Sequence, residues 1–267
     1  MSALTFELKQ APEEPLDLSA LIPDRLAGMK AKDIAGLALP TLAGTASVGD
    51  YFKVTGKDAA SLRFLGTTDR CDRIGAGSSE GEILVDGDAG AYLGAKFKGG
   101  TLEVTGNAAA YAGAAMSNGT IDIKGNVGER AGGLTVGEVH GMRGGRLFIG
   151  GNAGPYLAER MRRGLITVGG DAGEYAGARV VAGTILFQGK VGRNAGYGLK
   201  RGSLIFKKKP KQILPTYADC GVIEFTYLNL LERALKADGI KVRLGREAQR
   251  LMGDMAALGK GEMLILR

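Results

Sequence analysis

The chain has no tryptophan, one histidine and two cysteines in 267 residues. Cys71 and Cys220 are too few for a disulfide framework, and with His140 they offer no spacing of a Cys/His metal site. No apolar run approaches the roughly 18 residues that a membrane helix needs. The N-terminus has no basic start followed by an apolar core, so neither a span nor export is expected and the cytoplasm is the default location. No G-x-x-x-x-G-K-[S/T] phosphate loop occurs, which argues against ATP binding. Proline is sparse too, and four of the seven fall at Pro12, Pro15, Pro23 and Pro40, ahead of everything periodic.

What is plentiful is glycine, 45 residues of it, and its placement is ordered. A glycine, a short β-prone run and then G-x-x-G-x-x-x-G recur from Gly81, Gly100, Gly119, Gly145, Gly164 and Gly183. Four of the five intervals are 19 residues and the remaining one, from Gly119 to Gly145, is 26. Within each repeat two apolar residues alternate at fixed offsets, from Ile83 and Val85 through Ile121 and Ile123 to Ile185 and Phe187. Period-2 alternation puts such a pair on one face of a short strand. A further apolar position reads Phe97, Met116, Met142, Met161, Val180 and Leu199, and it stays aligned only if the extra residues precede Met142. The insertion therefore lies between Gly132 and Gly141 and should protrude.

Glycines every few residues exclude a helical solenoid, since each costs about 1 kcal/mol inside a helix. Collagen is excluded because glycine does not recur at every third position, and disorder has no reason to keep apolar columns in register. The expectation is an all-β core, a right-handed parallel β-helix, with glycines at the corners. Residues 1–43 form an N-terminal cap, with a short helix within Ser19–Leu26; 44–206 form the solenoid; 207–267 form a tail with one or two helices. Leu62–Gly66 reads as a degenerate turn and Phe52–Gly56 as another. Thr226–Ala237 is expected to be a helix with Leu228, Leu231 and Leu235 on one face, and a second is expected from Glu247 to Leu258.

Few residues suggest chemistry. His140 beside Glu138, and Cys71 beside Asp69 and Asp72, lack ligand or nucleophile spacing, so no catalytic residue and no metal ligand is assigned. The repeated glycines lack the strand–turn–helix setting of a dinucleotide loop. Tyr92, Tyr111, Tyr156 and Tyr175 share one offset, where mutual stacking accounts for them. The scattered carboxylates, among them Asp86, Asp88, Asp122, Glu129, Asp171 and Glu174, form no facing pair of the glycosidase kind. A catalytic β-helix acting on an anionic saccharide remains an alternative by structural analogy alone.

Charge placement says more. Residues 141–211 hold fourteen Lys or Arg against three Asp or Glu, although the whole chain is only +7. Stacking of the turns would gather Lys96, Lys98, Arg143, Arg160, Arg162, Arg163, Arg179, Lys200 and Arg201 along one side. Such a stripe suits an anionic tail or an acidic protein. Nucleic acid is not expected, because aromatic residues do not interleave with the basic ones and no nucleic-acid-binding motif is present.

The stretches Gly87-Asp88-Ala89-Gly90-Ala91-Tyr92-Leu93-Gly94, Gly125-Asn126-Val127-Gly128-Glu129-Arg130-Ala131-Gly132 and Gly170-Asp171-Ala172-Gly173-Glu174-Tyr175-Ala176-Gly177 carry a family likeness. Together with Pro215–Gly221, they resemble the C subunit of formylmethanofuran dehydrogenase and of the related bacterial formyltransferase/hydrolase complex. The repeat is also similar to the C-terminal domain of the glutamate synthase large subunit. The resemblance implies a noncatalytic scaffold in a cytoplasmic complex of tetrahydromethanopterin-linked one-carbon metabolism. Its partners would be a formyltransferase subunit, an amidohydrolase-like subunit and one further subunit. That complex moves a formyl group from formyl-tetrahydromethanopterin to a methanofuran-type carrier and hydrolyses it to formate. The resemblance further implies contact between the basic stripe and the carrier's polyglutamyl tail, with no covalently bound cofactor. The alternative setting is a molybdenum or tungsten formylmethanofuran dehydrogenase. The hydrolase setting is preferred because the chain carries no accessory redox domain.

Overall fold

The computed structural model describes residues 2–41 and 44–267. Its centre is a parallel β-helix whose main wall runs through Asp58–Thr67, Glu82–Gly87, Thr101–Val104, Thr120–Ile123, Arg146–Ile149, Leu165–Val168, Thr184–Phe187 and Arg201–Phe206. The register is that of the repeat: Ile83 pairs with Leu102, Leu102 with Ile121, Ile121 with Leu147, Leu147 with Ile166, Ile166 with Ile185 and Ile185 with Leu204. A second, narrower wall is a line of parallel bridges through Ala89, Ala108, Val127, Ala153, Ala172 and Val191. Small residues suit this wall because the two walls and the buried column from Phe97 to Leu199 must share a narrow interior.

The corners explain the glycines. At Gly100 φ is +83°, and a Cβ there would stand 2.3 Å from the Gly81 carbonyl oxygen. Beside these corners runs a ladder that the repeat places at Asp88, Asn107, Asn126, Asn152 and Asp171. Each side-chain Oδ1 accepts the backbone N–H of the equivalent residue one turn on, at 2.7–2.9 Å, with Lys190 receiving the last bond. Two of the carboxylates noted in the sequence thus hold turns together. Asn126→Ala removes the Oδ1 that accepts from the Asn152 N–H and the Nδ2 that donates to Asn107, while its backbone N–H keeps the rung to Asn107; it is expected to cost about 1–2 kcal/mol. Equilibrium urea unfolding beside Lys124→Ala, an exposed residue whose ion pairs are with Glu103 and Asp122, checks this.

The ends differ from the sequence reading in instructive ways. The degenerate turn at Leu62–Gly66 is present as the strand Asp58–Thr67, parallel to Glu82–Gly87. Phe52–Thr55, by contrast, is no solenoid turn. It runs antiparallel to Ala3–Leu8, which is itself inserted into the main sheet beside Asp58–Thr67. Phe6 stacks on Phe64 at 4.8 Å with Phe52 edge-on, so three rings close this end. Helical turns occur at Pro23–Leu26, inside the expected interval, and at Ala31–Ala35.

The helix Thr226–Ala237 has the bounds its periodicity predicts, and Leu228, Leu231 and Leu235 are buried. It does not cap the end of the stack. It lies against the outer face of the sheet, over Phe148, Leu186, Ile205 and Leu264. The middle strand residue accordingly changes from Leu84, Glu103 and Asp122 to Phe148, Thr167, Leu186 and Ile205, the last four buried. The second expected helix is corrected outright: Glu247–Gly253 is a strand, antiparallel to Lys260–Leu266, which joins the solenoid in parallel with Arg201–Phe206. Met263, Leu251 and Tyr217 fill the end of the core, and the Tyr217 hydroxyl donates to the Gly196 carbonyl at 2.8 Å. The C-terminal cap is therefore built mainly of strands, with the helix at its side.

Candidate functional site

The position of Phe97, Met116, Met142, Met161, Val180 and Leu199 points into the core, and Met142 keeps its place because the insertion precedes it. The neighbours on either side of this column must then point outward. One flank carries Lys96, Arg160 and Arg179; the other carries Lys98, Arg143, Arg162 and Lys200, followed by Arg163 and Arg201. Backbone bonds tie the second flank turn to turn: the N–H groups of Lys98, Arg143, Arg162 and Lys200 donate to Ser78, Met116, Met142 and Val180. All nine of these cations are exposed, divided by their offsets between the two flanks.

They are not equally available. The inserted loop folds back over the stack, and its Glu138 binds Lys96 at 3.0 Å and also pairs with Arg143. The hydrogen bond from Lys96 holds the Glu138 carboxyl below its usual range, burial opposing and the Arg143 charge reinforcing the shift. Arg160 reaches the Val139 carbonyl, and Arg179 binds Glu159 at 2.9 Å. Among the described residues Lys98, Arg162, Arg163, Lys200 and Arg201 make no ion pair.

The tyrosine position also forms a column. Tyr92 stacks on Tyr111 at 4.7 Å and Tyr156 on Tyr175 at 5.1 Å, each pair within 7° of parallel. The gap between the pairs is filled by Arg130, whose guanidinium lies 4.8 Å over the Tyr156 ring, as Arg73 lies 4.8 Å over Tyr92. Arg130 also pairs with Glu159, which is 5% exposed. Sequence reasoning passed over both residues, yet each left a signal. Within the six clear repeats Arg130 is the one cation at the tyrosine offset, and Glu159 is the one carboxylate at an offset otherwise held by Ala95, Ala114, Gly133, Ala178 and Tyr197.

The other candidates stay apart from this surface. Cys71 lies in the core, where burial pushes its thiol up, and Cys220 is exposed. His140 and Glu138 share the loop, but Glu138 is engaged by cations. Among the described residues no group of three or more His, Cys, Asp or Glu could hold a metal ion, and no helix is long and apolar enough to cross a membrane.

Known proteins share this architecture. The GXGXG motif family matches residues 68–251. A chain in the crystal structure of the formyltransferase/hydrolase complex (FhcABCD) from Methylorubrum extorquens in complex with methylofuran superposes with a TM-score of 0.94 at 38% identity, over 98% of this chain and 99% of that one. In sequence, the C subunit of the Methylorubrum extorquens formyltransferase/hydrolase complex is 38% identical over 89 residues, 33% of this chain and 34% of that protein. The C subunit of tungsten-containing formylmethanofuran dehydrogenase 2 from Methanothermobacter marburgensis is 34% identical over 100 residues, 36% of this chain and 37% of that protein. These sequence matches span about a third of the relatives' length. The chain belongs to the GXGXG motif family of repeat proteins and, within it, to the C-subunit group of the formyltransferase/hydrolase and formylmethanofuran dehydrogenase complexes.

Proposed function

We propose that this chain is the noncatalytic scaffold subunit of a cytoplasmic formyltransferase/hydrolase complex. The complex would transfer formyl from formyl-tetrahydromethanopterin to a methanofuran-type carrier and hydrolyse the formyl-carrier to formate. Its partners would be the formyltransferase subunit, the amidohydrolase-like subunit and one further subunit. One observation carries the reading: near-complete superposition, at 38% identity, on a chain of a complex crystallised with methylofuran. The unpaired cations Lys98, Arg162, Arg163, Lys200 and Arg201 offer a polyglutamyl tail a line of positive potential, which retains the tail while its reactive end moves.

The tungsten and molybdenum dehydrogenases stand as the second reading, because their C subunits are 31–34% identical to this chain over similar stretches. Affinity purification of the tagged full chain from its native host separates the two. Recovery of formyltransferase and amidohydrolase-like subunits is expected; a molybdopterin-bearing partner would overturn the hydrolase assignment. In the same preparation, Arg162→Glu with Arg163→Glu should lower the carrier recovered per complex at least severalfold while the subunit ratio holds. Mass spectrometry of the released carrier measures this, and unchanged carrier content removes the tail-binding role without touching the scaffold role.

A further inference from the structure

Beside the cationic flank the repeat builds a groove. Its floor is the position of Ala95, Ala114, Gly133, Glu159 and Ala178. The stacked ring column forms one wall, and the position of Lys96, Arg160 and Arg179 forms the other. Both walls are held by the backbone: Tyr156 and Tyr175 donate their N–H to the Glu174 and Arg193 carbonyls, and Arg160 and Arg179 donate theirs to Ala178 and Tyr197. The inserted loop leaves the floor after Gly133, and two cavities lie along the groove: one of about 380 Å³ lined by Arg73, Tyr92, Lys96 and the loop residues Thr135 and Val136, and a second of about 370 Å³ lined by Arg130, Tyr156, Glu159, Tyr175 and Arg179.

The second cavity contains a braced pair of arginines. Glu159 accepts from Arg130 through one carboxylate oxygen and from Arg179 through the other. Each guanidinium also lies over a ring, Arg130 over Tyr156 and Arg179 over Tyr197 at 5.8 Å. A guanidinium has five N–H donors, and Glu159 engages one nitrogen of each. The two side chains are 29% and 49% exposed, so their remaining donors face solvent at the cavity. Two cations therefore stand against one buried carboxylate at this cavity. Glu129 and Glu174 sit one residue before the ring wall and are exposed.

We propose that this cavity is a carboxylate subsite for an extended acidic peptide chain, with Arg130 and Arg179 as paired donors and Glu159 as the residue that positions them. The fork of a guanidinium matches a planar carboxylate, and a ring beneath each fork sets its plane before the ligand arrives. Side chains already pinned lose little freedom on binding. The groove runs linearly along the stack, a shape that admits an extended chain. The proposal deepens the anionic-tail reading of the flank and rests on it.

The test uses fluorescence anisotropy of labelled hexaglutamate, in α-linked and γ-linked forms, on the full chain. An α-linked preference names a protein segment as the source, and a γ-linked preference names a carrier tail. Arg179→Gln leaves Arg130 on Glu159, and Arg130→Lys keeps the charge but loses the fork. Each should weaken binding about tenfold, the worth of one charge-assisted hydrogen bond. Arg130→Lys decides the matter if Arg179→Gln lowers the melting midpoint. Lys32→Gln, exposed and remote in sequence, should leave binding unchanged. If Arg162→Glu with Arg163→Glu abolishes binding while both groove variants bind normally, the subsite is overturned and the flank reading survives. Absence of hexaglutamate binding by the unsubstituted chain, or equal losses in Lys32→Gln, overturns both.

Discussion

Replacing Gly100 with alanine is expected to lower the free energy of unfolding by about 2–5 kcal/mol, the sum of left-handed strain and overpacking. The added methyl would meet the Gly81 carbonyl oxygen at 2.3 Å and the Glu80 carbonyl carbon at 2.8 Å, both of them backbone atoms. A side chain could turn aside; a strand start held in register on both edges cannot. Gly66→Ala is the matched control, because φ there is also positive, at +71°, but nothing lies within 4 Å of the new Cβ. It should cost only the strain, about 1–2 kcal/mol. Urea unfolding of both variants measures the difference. Equal losses would mean that conformation, and not the closeness of successive turns, requires glycine at Gly100.

The double substitution Arg130→Ala with Arg179→Ala is expected to cost about 3–5 kcal/mol, because it strands the Glu159 carboxylate, 5% exposed, without a partner. Glu159→Ala alone should cost less, since the two guanidiniums left behind are partly exposed and water can take up their charge. Adding Glu159→Ala to the double variant should therefore restore most of the loss, leaving the stacking on Tyr156 and Tyr197, about 0.5–1 kcal/mol for each ring. A triple variant no more stable than the double one would assign the cost to packing and remove the electrostatic account.

The two predictions probe different depths of the same repeat. Gly100 belongs to a position whose meaning is readable from one turn, because a corner needs the same backbone in every turn. Glu159 belongs to a position whose meaning arises only between turns. Its partner Arg130 lies one turn earlier and Arg179 one turn later, and nothing local links the three. The same contrast separates Met142 from Glu138. Met142 was placed by counting back from Gly145, whereas the hold of Glu138 on Lys96 depends on the direction in which the inserted loop folds.

The C-terminal region shows where periodicity misleads. Ala248, Leu251, Met255 and Leu258 are spaced like a helical face, yet Glu247–Gly253 is a strand and Met255 and Leu258 are exposed. The open edge of Arg201–Phe206 offers unpaired backbone groups, and Lys260–Leu266 satisfies them in parallel. Glu247–Gly253 then pairs with that new edge. Tertiary demand for edge pairing outweighs a weak local helical pattern. Thr226–Ala237 kept its helix because its apolar face found the outer face of the sheet.

From residue order alone came the stack, its register and the site of the inserted loop, since a fixed period converts spacing along the chain directly into position in space. Folding settled how the two edges are closed, which surface the helix covers, and which cations Glu138 and Glu159 neutralise. Those outcomes depend on contacts between segments that share no period, and such contacts exist only after the chain has assembled in three dimensions.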